Sequence, residues 1–141
     1  MRPILTALLV CLAGTALATD LNQPSLAELK WQSRPIVIFG DAPGDPRVIQ
    51  QLSAFEARSE ELEERDVVII VDTDPDTLSD LRRSFRPRDF MVVLVGKDGE
   101  VKYRKPSPVT VREIMRLIDR MPMRQQEIRA AKDAAREEAG N

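Results

Sequence analysis

The chain contains no histidine and a single cysteine, Cys11, in 141 residues. Without histidine it lacks the commonest metal ligand and the side chain best suited to acid–base work near neutral pH. Zinc and copper sites lose their usual donors. Cys11 lies in an uncharged amino-terminal stretch. If that stretch is removed, no thiolate, disulfide or iron–sulfur ligand remains. Aromatic residues make up only 4% of the chain, with one Trp and one Tyr, so no aromatic surface for shaping a substrate is legible. Neither charge sign dominates, the formal net charge being −2. That balance gives no electrostatic case for binding nucleic acid or an anionic membrane surface.

What is present begins with an export signal. Met1-Arg2 carries one positive charge, Pro3 to Ala18 is uncharged, and the stretch ends in Ala16-Leu17-Ala18. This is the order of a secretory signal peptide, cleaved after Ala18. The uncharged stretch is shorter than the roughly 20 residues of a membrane-spanning helix. Val10 stands before Cys11, where a lipoprotein signal needs a small residue. The expected product is therefore periplasmic or secreted, with no integral membrane segment after cleavage. Thr19 to Asn141 suffices for one domain with a sizeable core.

Along that domain, Ser25 and Glu28 form a capping box for a brief helix, Leu26 to Gln32. Pro35-Ile36-Val37-Ile38-Phe39-Gly40 reads as a fully buried strand. After the turn-rich loop Asp41 to Pro46, Asp45 caps a helix with Pro46 at its first position. Val48, Ile49, Leu52, Phe55 and Leu62 mark its apolar face. Asp66 to Asp72 is a second buried-type strand, parallel to the first through a right-handed βαβ crossover. Ile69 is expected between helices on both sides of the sheet. A helix starting near Asp74-Pro75 presents Leu78, Leu81 and Phe85. Phe90 to Gly96 is the third strand, and Lys97-Asp98-Gly99 turns it into a hairpin with Glu100 to Arg104. Pro108 opens a helix carrying Val111, Ile114, Met115 and Ile118. Pro122 breaks it and begins a polar helix through about Glu138.

The order β-α-β-α-β-β-α predicts an α/β fold with a thioredoxin-like core: a mixed central sheet with helices on both faces, plus a polar carboxy-terminal helix. The domain division is a signal peptide at 1–18, the thioredoxin-like domain at 19–121 and a helical tail at 122–141. The tail is expected to contribute little to core stability, with Pro122, Met123 and Ile128 tying down its first turns.

Two segments, Val95-Gly96-Lys97-Asp98-Gly99 and Leu117 to Glu127 with its Met121-Pro122-Met123-Arg124 core, carry a resemblance. In them the chain resembles the bacterial, exported, thioredoxin-like family numbered four thousand one hundred seventy-four among domains of unknown function. A related domain, described as peroxiredoxin-like, occurs in eukaryotic extracellular proteins with sushi repeats. The resemblance implies a thioredoxin-like fold and export, and it brings no established catalytic residues.

A thioredoxin site places Cys-x-x-Cys after the first strand, where the helix N-terminus lowers a thiol pKa. Here Ala42 to Arg47 fills that place, and Asp89 precedes the third strand where thioredoxins use a cis proline. Asp41, Asp45 and Arg47 still sit at the carboxyl end of a central strand, the usual ligand position in α/β sheets. Asp72 and Asp74 leave the second strand beside them. Four gathered carboxylates suit calcium or magnesium, but helix caps and strand-end turns explain the same aspartates. No metal and no cofactor is therefore expected. Arg82, Arg83, Arg86 and Arg88 are the densest basic segment, read as the solvated side of a helix, with Arg88 added to the candidate loop. Met121, Met123 and Arg124 form a candidate docking edge. The leading reading is a non-catalytic binding module for an unknown protein or small ligand. The alternative is an enzyme of unrecognised type using the acidic loop at the carboxyl ends of the first two strands.

Overall fold

The computed structural model describes residues 23–140. The expected signal peptide and Cys11 lie outside them. Four strands form one mixed sheet: β1 (Arg34–Phe39), β2 (Val67–Asp72), β3 (Met91–Val95) and β4 (Val101–Lys105), in the order β2-β1-β3-β4. β1 runs parallel to β2 and antiparallel to β3, and β3 pairs antiparallel with β4. Every residue of β1 and β3 is buried, as expected of inner strands covered on both faces. The fold is the predicted one, a thioredoxin-like α/β core.

Side-chain alternation divides the core. Ile36, Ile38, Val92 and Leu94 pack with Phe55, Leu62, Ile114 and Ile118 on one face, beneath α2 (Pro46–Glu56), α3 (Ser59–Glu63) and α5 (Val111–Asp119). Val37, Phe39, Val93 and Val95 pack with Phe85 on the other, beneath α1 (Leu26–Leu29) and α4 (Asp80–Phe85). Polar α6 (Pro122–Ala139) follows α5.

The structure corrects several local expectations. α1 keeps its capping box but stops at Leu29. The helix after Asp45 breaks at Ala57-Arg58 into α2 and α3. On α2 the buried stripe is Val48, Gln51 and Phe55, while Ile49 is 55% exposed. Gln51 stays inside because its amide pairs with both backbone groups of Val109, at 2.7 and 3.0 Å. The α4 helix begins at Asp80, capped by Ser79, and Leu78 is left outside. Thr110, rather than Pro108, caps α5. The hairpin turn ends at Gly99 with φ +81°, a conformation that glycine adopts without a Cβ penalty. β2 is an edge strand, and Ile69 is only half-buried.

Candidate functional site

Loop 41–46 leaves the carboxyl end of β1 and enters α2, where Asp45 accepts the Arg47 backbone N–H at 2.9 Å. The same carboxylate accepts the Arg47 Nε and Nη2 at 3.1 and 2.7 Å. Arg47 then reaches across to Asp89, donating from Nη1 and Nη2 at 2.9 and 2.8 Å. Its guanidinium also lies 5.3 Å from the Phe90 ring centroid. One arginine therefore clamps the first loop to the residue preceding Phe90 and β3. Hydrogen bonds from Arg47 hold both Asp45 and Asp89 below the usual carboxylate range. The single guanidinium thus engages both carboxylates.

Asp72 and Asp74 are engaged elsewhere. Asp72 accepts Arg82 Nε at 2.8 Å and Ser79 Oγ at 2.6 Å. Arg82 continues to the Gly40 carbonyl at 2.7 Å, tying together the ends of β1 and β2. It is buried, which corrects its reading as part of a solvated face. Its place was legible: three residues before Phe85, it shares the inward face of α4. Asp74 accepts from the Asp76 and Thr77 N–H groups and from the Thr77 hydroxyl. Those bonds, led by the hydroxyl, lower its pKa. The four aspartates do not converge: among the described residues, no three acidic side chains form a group able to hold a metal ion.

What does converge is basic. A groove of about 590 Å³ runs along α4 and its exit loop, bordered by Asp41, Leu78, Arg83, Arg86 and Arg88. Arg83, Arg86 and Arg88 are exposed, and Leu78 is 64% exposed at its wall. Arg83 has a distant partner in Asp80 at 3.6 Å. Arg86 holds a left-handed backbone with φ +49°, which is uncommon for a side chain of its size.

At the opposite end of β1, the candidate docking edge is partly consumed by structure. Arg124 is buried against Asp119, Glu127 and the Glu64 carbonyl. Met121 and Met123 line a cavity of about 150 Å³ with Arg34, Lys97 and Lys102. Arg34, completely buried, donates to both Glu127 carboxylate oxygens at 3.2 and 2.9 Å. Lys97 joins the same carboxylate at 2.8 Å. Sequence reasoning missed this network because its partners are far apart in the chain.

Residues 25–127 match the family described as Domain of unknown function (DUF4174). The chain belongs to that family. No curated protein sequence matches this DUF4174 chain. Among solved structures, it is similar to the reduced 2-Cys peroxiredoxin of Plasmodium vivax, with a TM-score of 0.59 and 12% identity over 72% of this chain and 84% of that one. The AhpC of Mycobacterium tuberculosis gives 0.52 and 15% identity over 65% and 70%. The malaria parasite's thioredoxin-2 gives 0.52 and 17% over 63% and 84%. At these identities the likeness carries the fold alone.

Proposed function

We propose that this DUF4174 protein is an exported, non-catalytic binding module that holds an anionic ligand in the arginine groove beside its first loop. The observation that carries this reading is the clamp of Arg47 on Asp45 and Asp89. It occupies, with salt-bridged side chains, the position where thioredoxins carry their reactive cysteines. Beside it the groove presents three exposed guanidiniums at the carboxyl end of a parallel strand pair, where α/β sheets take ligands. Guanidinium forks suit carboxylates and phosphates. Export rests on the order of the first 18 residues and on the resemblance to exported bacterial proteins.

Protein recovered from the extracytoplasmic fraction is expected to begin at Thr19. It should neither reduce insulin nor consume peroxide above the buffer blank. A retained Met1, or turnover above the blank, would overturn the respective part of the proposal.

A fluorescein-labelled oligoglutamate peptide, followed by anisotropy, probes the groove. Binding should weaken as salt is raised and fall several-fold in Arg86→Gln/Arg88→Gln. Binding that ignores both changes would remove the groove from the proposal.

A further inference from the structure

The outer edge of β2 has no neighbouring strand among the described residues. In a parallel ladder, the N–H and C=O of one residue point to the same side, and the side alternates along the strand. Asp66 and Asp72 turn their carbonyls inward, accepting from Arg34 and Gly40 at 2.7 and 3.0 Å. Val71 turns its N–H and C=O outward, where the Gln23 side-chain amide meets each at 3.3 Å. The same parity points the N–H and C=O of Val67 and Ile69 outward. No partner meets them among the described residues.

Apolar grooves flank this edge on both faces. One, of about 490 Å³, lies between α2, α3 and the Val67 and Ile69 side chains, with Leu52 and Phe55 in its wall. The other, of about 350 Å³, lies between residues 23–27, Ile70 and α4, with Leu26 and Leu81 in its wall. Edge strands are usually blunted by lysine, proline or a bulge. From Val67 to Val71 β2 has none of these. Two outward donor–acceptor pairs and a groove on each face fit an extended strand whose alternate side chains point up and down.

The rim selects the occupant's charge. Glu56 and Glu63 border the first groove, while the nearby Arg58 and Arg65 are engaged by Glu61, Glu64 and Asp119. A second copy, paired edge to edge about a two-fold axis, would set two α2–α3 layers side by side, each bringing the same acidic rim to the junction. A strand with basic flanks meets no such repulsion. We propose that the β2 edge captures an extended, apolar segment with basic flanks from a partner protein, adding it to the sheet as a fifth strand.

The probe is the labelled peptide Lys-Val-Thr-Val-Thr-Val-Lys, titrated into the full exported chain by anisotropy. Binding should weaken about tenfold when the peptide amides facing β2 are N-methylated, because each methyl removes a ladder donor. Replacing the flanking lysines with glutamates should weaken it too. In Glu56→Lys/Glu63→Lys, two exposed positions that leave the core intact, the preference should reverse to the glutamate peptide. Equal affinity for methylated and unmethylated peptide would overturn the proposal, as would no binding at all. Concentration-dependent dimerisation lost in Ile69→Lys would also overturn it, showing that a second copy covers the edge. So would binding gained only on removing the residues before Gln23, since the chain's own amino-terminal segment would then be the occupant.

Discussion

Glu127→Gln is expected to destabilise the domain by about 3 kcal/mol, the low end of the range for removing one partner of a buried ion pair. The side chain keeps its size, so the loss is electrostatic. Arg34 is fully buried with Glu127 as its only carboxylate partner among the described residues, and Lys97 shares that carboxylate. Arg34 already leaves its Nε–H without an acceptor among the described residues. Neutralising Glu127 would strand a whole charge beside that unmet donor. Glu138→Gln, at an exposed position on the same helix, should stay within about 0.5 kcal/mol of the parent. Urea unfolding at neutral pH checks both.

The same carboxylate sets a pH dependence. Burial opposes its charged form, but hydrogen bonds from Arg34 and Lys97 outweigh burial and pull its pKa from 4.5 down to about 2. A folded-state pKa below the unfolded value adds stability that is complete above about pH 4.5. That contribution disappears as pH falls from there towards about 2. The gap between parent and Glu127→Gln should therefore narrow in acid; a constant gap would mean that Glu127 acts by packing. Chain truncation separates the two ends of α6. Every residue from Arg129 to Gly140 is exposed, so ending the chain at Arg129 should lower Tm by only a few degrees. Ending it at Met121 removes Arg124 and Glu127 together and should cost far more. The sequence reading of a separable tail then applies to the distal turns only, because charged residues, rather than Pro122, Met123 and Ile128 alone, anchor the first ones.

How much of this was legible depends on whether the signal was local. β1 and β3 announced themselves as unbroken apolar runs, and the Ser25 and Asp45 caps were visible from residue type and spacing. β2 carries the same kind of run, yet stands at the edge. Its neighbours were decided by β3 entering beside β1, which no residue within β2 records. α4 was placed too early because Asp74 can begin a helix or close a turn on Thr77, and here it closes the turn. At the candidate site, Asp45 and Arg47 were readable, two residues apart. Asp89 was not, 42 residues from the arginine it binds. Gln51 was readable in principle, standing midway between Val48 and Phe55 on one helical face, but a polar side chain in an apolar stripe is easily passed over. The acidic loop lost its apparent purpose for a related reason. Asp45, Asp72 and Asp74 are each taken up by an arginine, hydroxyl or backbone donor, which a count of carboxylates cannot reveal.

Ile38→Ala is expected to cost about 3–5 kcal/mol, the upper part of the range for truncating a buried isoleucine. Ile38 is completely buried in β1, with Val71 beside it on one strand and Val92 on the other. It belongs to the cluster that includes Val48, Phe55 and Ile114. Neighbours on every side leave the surroundings little freedom to collapse into the vacated space, so both the transfer and the cavity contributions are lost. Ile69 packs against the same cluster from β2, but it is half-buried and borders an open groove. Solvent and neighbouring side chains can fill what its truncation removes, and part of its surface was never withdrawn from water. Ile69→Ala should therefore cost only about 1–2 kcal/mol. Paired urea titrations of the two variants test the strand order directly. A loss at Ile69 equal to that at Ile38 would require β2 to be covered on both sides, contradicting the free edge and the capture of a partner strand proposed for it.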